Sequence, residues 1–208
     1  SVQLWYALCK SMNVPSLKVL EGIGLDVGFD RAIALLGIPE DEVQSRGFVH
    51  AYPVGLGTAS VRPIELCRAY AIFGNQGKEV TPIAIRSVED RNGNVFLNPE
   101  KELRLEQRKK GDAIQVISPQ TAYVMTDILR TSVSIGTMAW GTRNGRKLQY
   151  KNSNGDTYEM PAAGKTGTTQ NWSDAWAAGY TPYLSAVIWF GFDKFGQTLG
   201  LDMTGSTL

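Results

Sequence analysis

Residues Ala162-Ala163-Gly164-Lys165-Thr166-Gly167-Thr168-Thr169 set one lysine and three threonines among glycines, a combination suited to holding a small anion. In an extended chain successive side chains alternate between faces. Thr166 and Thr168 therefore share one side, Lys165 supplies a cation, and Gly167 leaves the backbone bare between them. A phosphate loop is the nearest rival, but it requires a glycine where this chain has Glu159, and a helix beginning at the lysine. Gly167-Thr168-Thr169 is a poor helix start, because glycine and β-branched residues both disfavour one. A second polar pair, Ser11-x-Asn13, falls where a helical pattern breaks before Pro15. His50 is the one histidine, which argues against a metal centre and against a serine, histidine and aspartate triad. Nucleophilic chemistry in this chain would need a lysine. Cys9 and Cys67 stand singly in apolar, helix-like contexts without metal spacing and read as buried free thiols.

The 208 residues suit one sizeable core. With 21 Lys and Arg against 20 Asp and Glu the net charge is +1, so bulk electrostatics give no case for nucleic acid or an anionic membrane surface. The longest apolar run, Leu184 to Phe192, is too short to span a bilayer, and the first residues carry no signal-peptide pattern.

The elements that would position these residues follow from periodicity. Val2 to Lys10 reads as a helix, Ser11 to Val14 as a connection, and Pro15 to Leu20 as a second helix closed by Gly22 and Gly24. Val27 to Leu36 gives a third, closed by Gly37, while 39–57 suggests no element. Pro63 opens a core helix ending at Gly74, and Pro82 to Leu97 forms a hairpin around Asn92-Gly93. The charge-dense run from Glu100 to Asp112 reads as a solvated loop. Ser118-Pro119 starts a helix with Ala122, Met125, Ile128, Leu129 and Val133 on one face. From Gly136 to Glu159 the chain reads as loops, with turns at Asn144-Gly145 and Asn154-Gly155. Lys165 to Thr169, Asp174 to Tyr180 and Leu184 to Asp193 then read as three antiparallel strands. One α/β domain of the α+β type follows, with helices packed on an antiparallel sheet.

Ser11-x-Asn13 and Lys165-Thr166-Gly167, taken together, resemble two of the three motifs of penicillin-binding proteins and serine β-lactamases. Leu56-Gly57-Thr58 to Gly77, Gly136-Thr137, and the run from Gly164 through Asp174-Ala175-Trp176 and Gly179-Tyr180-Thr181-Pro182 to Gly191-Phe192-Asp193 are similar to the class A, bifunctional penicillin-binding proteins. The resemblance covers nearly the whole chain. It implies a D,D-transpeptidase that cross-links peptidoglycan stem peptides ending in D-alanyl-D-alanine through a serine acyl-enzyme, and that β-lactams acylate. Ser11 and Lys165 would be catalytic, shuttling a proton to the leaving amine. Asn13, Thr166, Gly167 and Thr168 would bind substrate, and the Thr168 backbone N–H would form half of the oxyanion hole. No metal or other cofactor is implied. Other readings of the same fold are a non-catalytic β-lactam sensor, a D,D-carboxypeptidase or a β-lactamase.

One motif of the set is missing. No serine of this sequence has a lysine three residues later. The expectation is a partial domain, with the Ser-x-x-Lys segment upstream, a closing helix downstream, and the fragment inactive alone. The resemblance further implies a glycosyltransferase domain and a membrane anchor in the remainder of the polypeptide, which would put this domain on the periplasmic face of the bacterial inner membrane.

Overall fold

The computed structural model describes residues 1–139, 148–194 and 196–207, so the turn expected at Asn144-Gly145 lies outside the described residues. Three helices come first: α1 (Leu4–Cys9), α2 (Asn13–Ile23) and α3 (Leu25–Leu36). α2 begins at Asn13, two residues before the expected Pro15, because proline is tolerated throughout the first turn, where N–H groups have no intrahelical partner. Asn13 therefore opens a helix rather than lying in a connection. Gly37 closes α3 in the left-handed conformation, as its position predicts.

The segment 39–57, which carries no sequence signal, folds into 3-10 turns at Glu40–Glu42 and Tyr52–Leu56. Arg46 pins it to α4 (Pro63–Gly74) through two hydrogen bonds, 2.6 and 2.7 Å, to the Glu65 carboxylate. Glu65 also accepts the Arg62 N–H at 2.8 Å, capping the helix it belongs to. Burial pushes the Glu65 carboxyl up, but Arg46 and the Arg62 amide outweigh it and hold the group below the usual carboxylate range.

After α4 comes a short hairpin, β1 (Val88–Glu89) with β2 (Val95–Leu97), turned around Asn92-Gly93 as expected. The next segment corrects the sequence reading, since Pro99–Lys110 is a helix, α5, and not a loop. Asn98 caps it by accepting the Lys101 N–H, Pro99 occupies the first position, Glu100 and Glu102 sit in the first turn, and Arg108, Lys109 and Lys110 in the last. Charges placed in that order complement the helix dipole, and Arg104 bonds Glu100 one turn away. Such a helix needs no apolar face, and none of its residues is buried.

The helix that positions the site is α6 (Pro119–Ser134), capped by Ser118 with Pro119 first. The polar stretch beyond it also departs from the loop expectation, because β3 (Gln149–Lys151) and β4 (Thr157–Glu159) pair as a hairpin about Asn154-Gly155, with Tyr150 and Tyr158 stacked across it. Last comes an antiparallel sheet of β5 (Ala163–Thr168), β6 (Ala175–Tyr180) and β7 (Ser185–Phe190) in that order. Its register pairs Lys165 with Ala178 and Gly167 with Trp176. Tyr180 and Ala163 pack with Leu129 of α6 in the core, with Tyr70 and Phe73 of α4 against them, and the Tyr180 hydroxyl lies 2.7 Å from Thr126 Oγ1. Ser185 donates to the Cys67 carbonyl at 3.2 Å, tying β7 to α4. The architecture is helices on an antiparallel sheet, α and β mixed, as the sequence predicts.

Candidate active site

Ser11 owes its position to how α1 stops. The Ser11 N–H bonds Leu8 O (3.0 Å) and the Met12 N–H bonds Ala7 O (2.9 Å), the paired closure of a Schellman motif. That motif needs a left-handed residue just past the helix, normally glycine, and here Ser11 takes it at φ 56°. A non-glycine residue in this region costs about 1–2 kcal/mol. The strained backbone aims the Ser11 hydroxyl at β5, where Lys165 Nζ donates to it at 3.0 Å.

Lys165 also donates to Thr137 Oγ1 at 3.4 Å and to its neighbour's carbonyl, Thr166 O, at 2.8 Å. The Thr166 hydroxyl donates to the same Thr137 oxygen at 2.6 Å. Burial pulls the Lys165 ammonium down to about 8, and the Cys9 thiol beside it opposes that shift. Cys9 is itself fully buried and bonds Ile128 O of α6; burial pushes the thiol up against the pull of Lys10 and Lys165. A half-buried amine of lowered proton affinity beside a hydroxyl is able to exchange a proton with it.

β5 is an edge strand, and its outer side has no backbone partner among the described residues. Ladder parity says which groups face that edge. The Thr169 N–H bonds Asp174 O at 3.1 Å, so Thr169 and Asp174 form a hydrogen-bonded pair, and antiparallel pairs alternate. Thr168 and Thr166 consequently present their backbone N–H and C=O outward. The Thr166 carbonyl fits that orientation, since the bond it accepts comes from Lys165 Nζ. The Thr168 N–H points away from β6 and has no hydrogen-bond partner among the described residues. Gly167 is flat against β6, with Trp176 Cβ 3.4 Å from where a methyl would stand.

Of the residues expected from sequence, Ser11, Lys165 and Thr166 meet directly, Gly167 and Thr168 continue the same edge, and Asn13 stands exposed on the first turn of α2 with no side-chain hydrogen bond among the described residues. Thr168 Oγ1 accepts the Gly205 N–H at 3.1 Å, leaving its own proton free to donate. Sequence reasoning missed two residues. Thr137 counts there only as part of a resemblance, and nothing in the sequence marks Gly205, which is buried against Gly167 O and Trp176 O.

Comparisons with known proteins bear on the family and the fold. Residues 10–192 match the family described as penicillin binding protein transpeptidase domain. Penicillin-binding protein 1A of Clostridium novyi (strain NT) is 33% identical, over 93% of this chain and 20% of that protein. Penicillin-binding protein 1A of Pseudomonas aeruginosa is 29% identical, over 100% of this chain and 28% of that protein. The chain thus spans only about a fifth to a quarter of the length of these curated relatives. Among solved structures, penicillin-binding protein 1A from Haemophilus influenzae superposes with a TM-score of 0.75 at 23% identity, covering 99% of this chain and 32% of that one. PonA1 from Mycobacterium tuberculosis in complex with penicillin V gives 0.66 at 25% identity, covering 98% and 52%.

Proposed function

The chain belongs to the penicillin-binding protein transpeptidase family, and on that premise we propose that in its parent protein it forms one wall of the acyl-transfer site of a peptidoglycan D,D-transpeptidase. The single observation that carries the reading is the Lys165 ammonium, held 3.0 Å from Ser11 Oγ beside a strand edge that has no backbone partner among the described residues. The complex of PonA1 with penicillin V adds support, because a β-lactam is there bound by a protein of similar fold and sequence.

The stem peptide lies along the open edge of β5 as an added strand, its D-alanyl-D-alanine carboxylate near Thr166 and Thr168. The Thr168 hydroxyl donates to that carboxylate, and Lys165 adds its charge. Asn13 donates its free amide to the substrate backbone. The nucleophile is a serine outside residues 1–208, since no Ser-x-x-Lys occurs within them. When that serine attacks, its hydroxyl proton passes to the lysine of its own Ser-x-x-Lys, the carbonyl oxygen takes up negative charge, and the outward Thr168 N–H stabilises it. Removing one such donor typically costs about 3–4 kcal/mol of transition-state stabilisation. As the peptide bond breaks, the leaving D-alanine nitrogen takes the Ser11 proton, and Lys165 replaces it. The amine of a second stem then attacks the acyl-enzyme and returns its proton along the same route, while the departing serine takes its own proton back from the lysine of the Ser-x-x-Lys, so the Ser11 and Lys165 pair acts once as acid and once as base. In this reading the parent carries a glycosyltransferase domain and a membrane anchor and works on the outer face of the cytoplasmic membrane; no helix among the described residues is long and apolar enough to cross a bilayer.

Labelling the parent protein with a fluorescent penicillin, followed by mass spectrometry of the labelled peptide, tests the proposal. A label on the serine of a Ser-x-x-Lys outside this chain is expected. A label on Ser11, or an intact parent that takes none, sinks it.

A further inference from the structure

Three stretches distant in sequence meet at Thr137. Its N–H donates to Cys9 O at 3.1 Å, one of the carbonyls left free where α1 ends, two residues before Ser11. Its hydroxyl oxygen accepts from Thr166 Oγ1 at 2.6 Å and from Lys165 Nζ at 3.4 Å, both on β5. The residue before it, Gly136, is packed so tightly that an added methyl would stand 2.6 Å from Ser132 Cα and 2.7 Å from Cys9 O. Lys10 closes the same junction by donating to Ile135 O at 2.7 Å. The backbone of Thr137 is therefore fixed to the element that carries Ser11, while its side chain reaches the element that carries Lys165.

A hydroxyl in that position has two effects. It sets the distance between Ser11 and Lys165 by gripping both supports, and it supplies an acceptor to the Lys165 ammonium. Ammonium groups have three donors, and here the three acceptors are Ser11 Oγ, Thr137 Oγ1 and Thr166 O. Burial disfavours the charged amine, so each acceptor matters to its proton affinity. Cys9 of α1 is the titratable group acting on Lys165; β5 and the connection after α6 bring hydroxyls to it, and no carboxylate pairs with it among the described residues.

We propose that Thr137 is a positioning residue for the Lys165 and Ser11 pair, holding the ammonium in line with the serine hydroxyl and keeping it protonated. The inference rests on the acyl-transfer reading given above. Thr137→Val preserves shape and removes the acceptor; Thr137→Ser preserves the acceptor. In the full-length parent, Thr137→Val should slow acylation by a fluorescent penicillin about tenfold, the worth of one hydrogen bond to a charged group. The limb of the pH profile that follows the Lys165 proton should move to lower pH, because the ammonium has lost an acceptor. Thr137→Ser should restore both rate and limb. An unchanged Thr137→Val overturns the inference, and so does a slower one whose limb stays in place or whose rate serine does not rescue, since those mark a packing role alone. Thermal melting checks each variant, and Thr137→Ala replaces the valine variant if that one fails to fold.

A second readout needs no labelling by penicillin. The reactivity of Lys165 toward acetic anhydride, followed against pH by mass spectrometry of the parent, reports the amine directly. Its titration should fall in Thr137→Val and hold in Thr137→Ser. An unmoved titration overturns the role of Thr137 even where penicillin labels the wild type. Absence of labelling in the wild type, with the titration shifting as expected, sinks the acyl-transfer reading and leaves Thr137 in place.

Discussion

Lys165→Met should make this protein more stable at neutral pH while disabling it. Burial lowers the lysine from 10.5 to about 8, and each pH unit of such a shift corresponds to about 1.4 kcal/mol. Keeping the charged amine where it is therefore costs about 3 kcal/mol at neutral pH. Methionine has nearly the same length and no charge to bury. The lowered proton affinity is already net of the charge-dependent part of the bonds to Ser11, Thr137 and Thr166, so what methionine forfeits is only the part a neutral amine would also make, which offsets the gain by roughly 1 kcal/mol or somewhat more. The net expectation is a gain of about 1–2 kcal/mol, or roughly 3–6 °C in melting temperature for a domain of this size. The pH dependence is the sharper signature. Between about 8 and 10.5 the unfolded wild type binds more protons than the folded, so wild-type stability rises with pH across that window and the advantage of methionine fades. Urea denaturation of both proteins at neutral pH and near pH 10.5 measures the two gaps. A variant less stable than wild type at neutral pH, or a gap that does not narrow with pH, refutes the claim that Lys165 is held charged against its environment.

The same trade appears at Ser11, where glycine and alanine both remove the acceptor of Lys165 and should slow acylation of the parent, but only glycine relieves the left-handed strain, so Ser11→Gly should be about 1 kcal/mol more stable than Ser11→Ala; equal stability of the two by urea denaturation would mean the turn is not strained. Gly136→Ala should destabilise by about 1–3 kcal/mol, because the methyl meets backbone atoms of Ser132 and Cys9 that cannot move aside, and a denaturation midpoint within error of wild type would contradict the packing described. Asn13→Ala should leave stability within about 0.5 kcal/mol, since the exposed amide makes no hydrogen bond among the described residues, yet reduce kcat/KM for cross-linking; an unimpaired variant removes Asn13 from the site.

The strands of the sheet were legible because short extended runs are separated there by turn signals at Gln170-Asn171 and Thr181-Pro182, whereas Lys165, Thr166 and Thr168 suggested by themselves only a weak anion site and took their roles from the family resemblance. α6 was legible for another reason, a serine cap and proline ahead of a regular apolar face. α5 escaped because its order comes from charge placement and the Asn98 cap, while an apolar stripe was the signal sought. The β3 and β4 hairpin had its turn signal at Asn154-Gly155, but its strands are only three residues long and exposed on both faces. The junction at Thr137 was beyond reach of local pattern. Its bond to Lys165 crosses 28 positions, and its anchor on Cys9 is a backbone bond that carries no mark in the side-chain sequence.

The contact between Ser11 and Lys165 spans 154 positions. Local turns and helices can form early and cheaply, but closing so long a loop must wait until most of the intervening chain has condensed. The pair is therefore among the last things to assemble and among the first to part on partial unfolding. A compact chain with its helices and sheet in place can still lack it, so any probe that reads this hydroxyl and amine together counts molecules that have completed folding and not those that have merely collapsed.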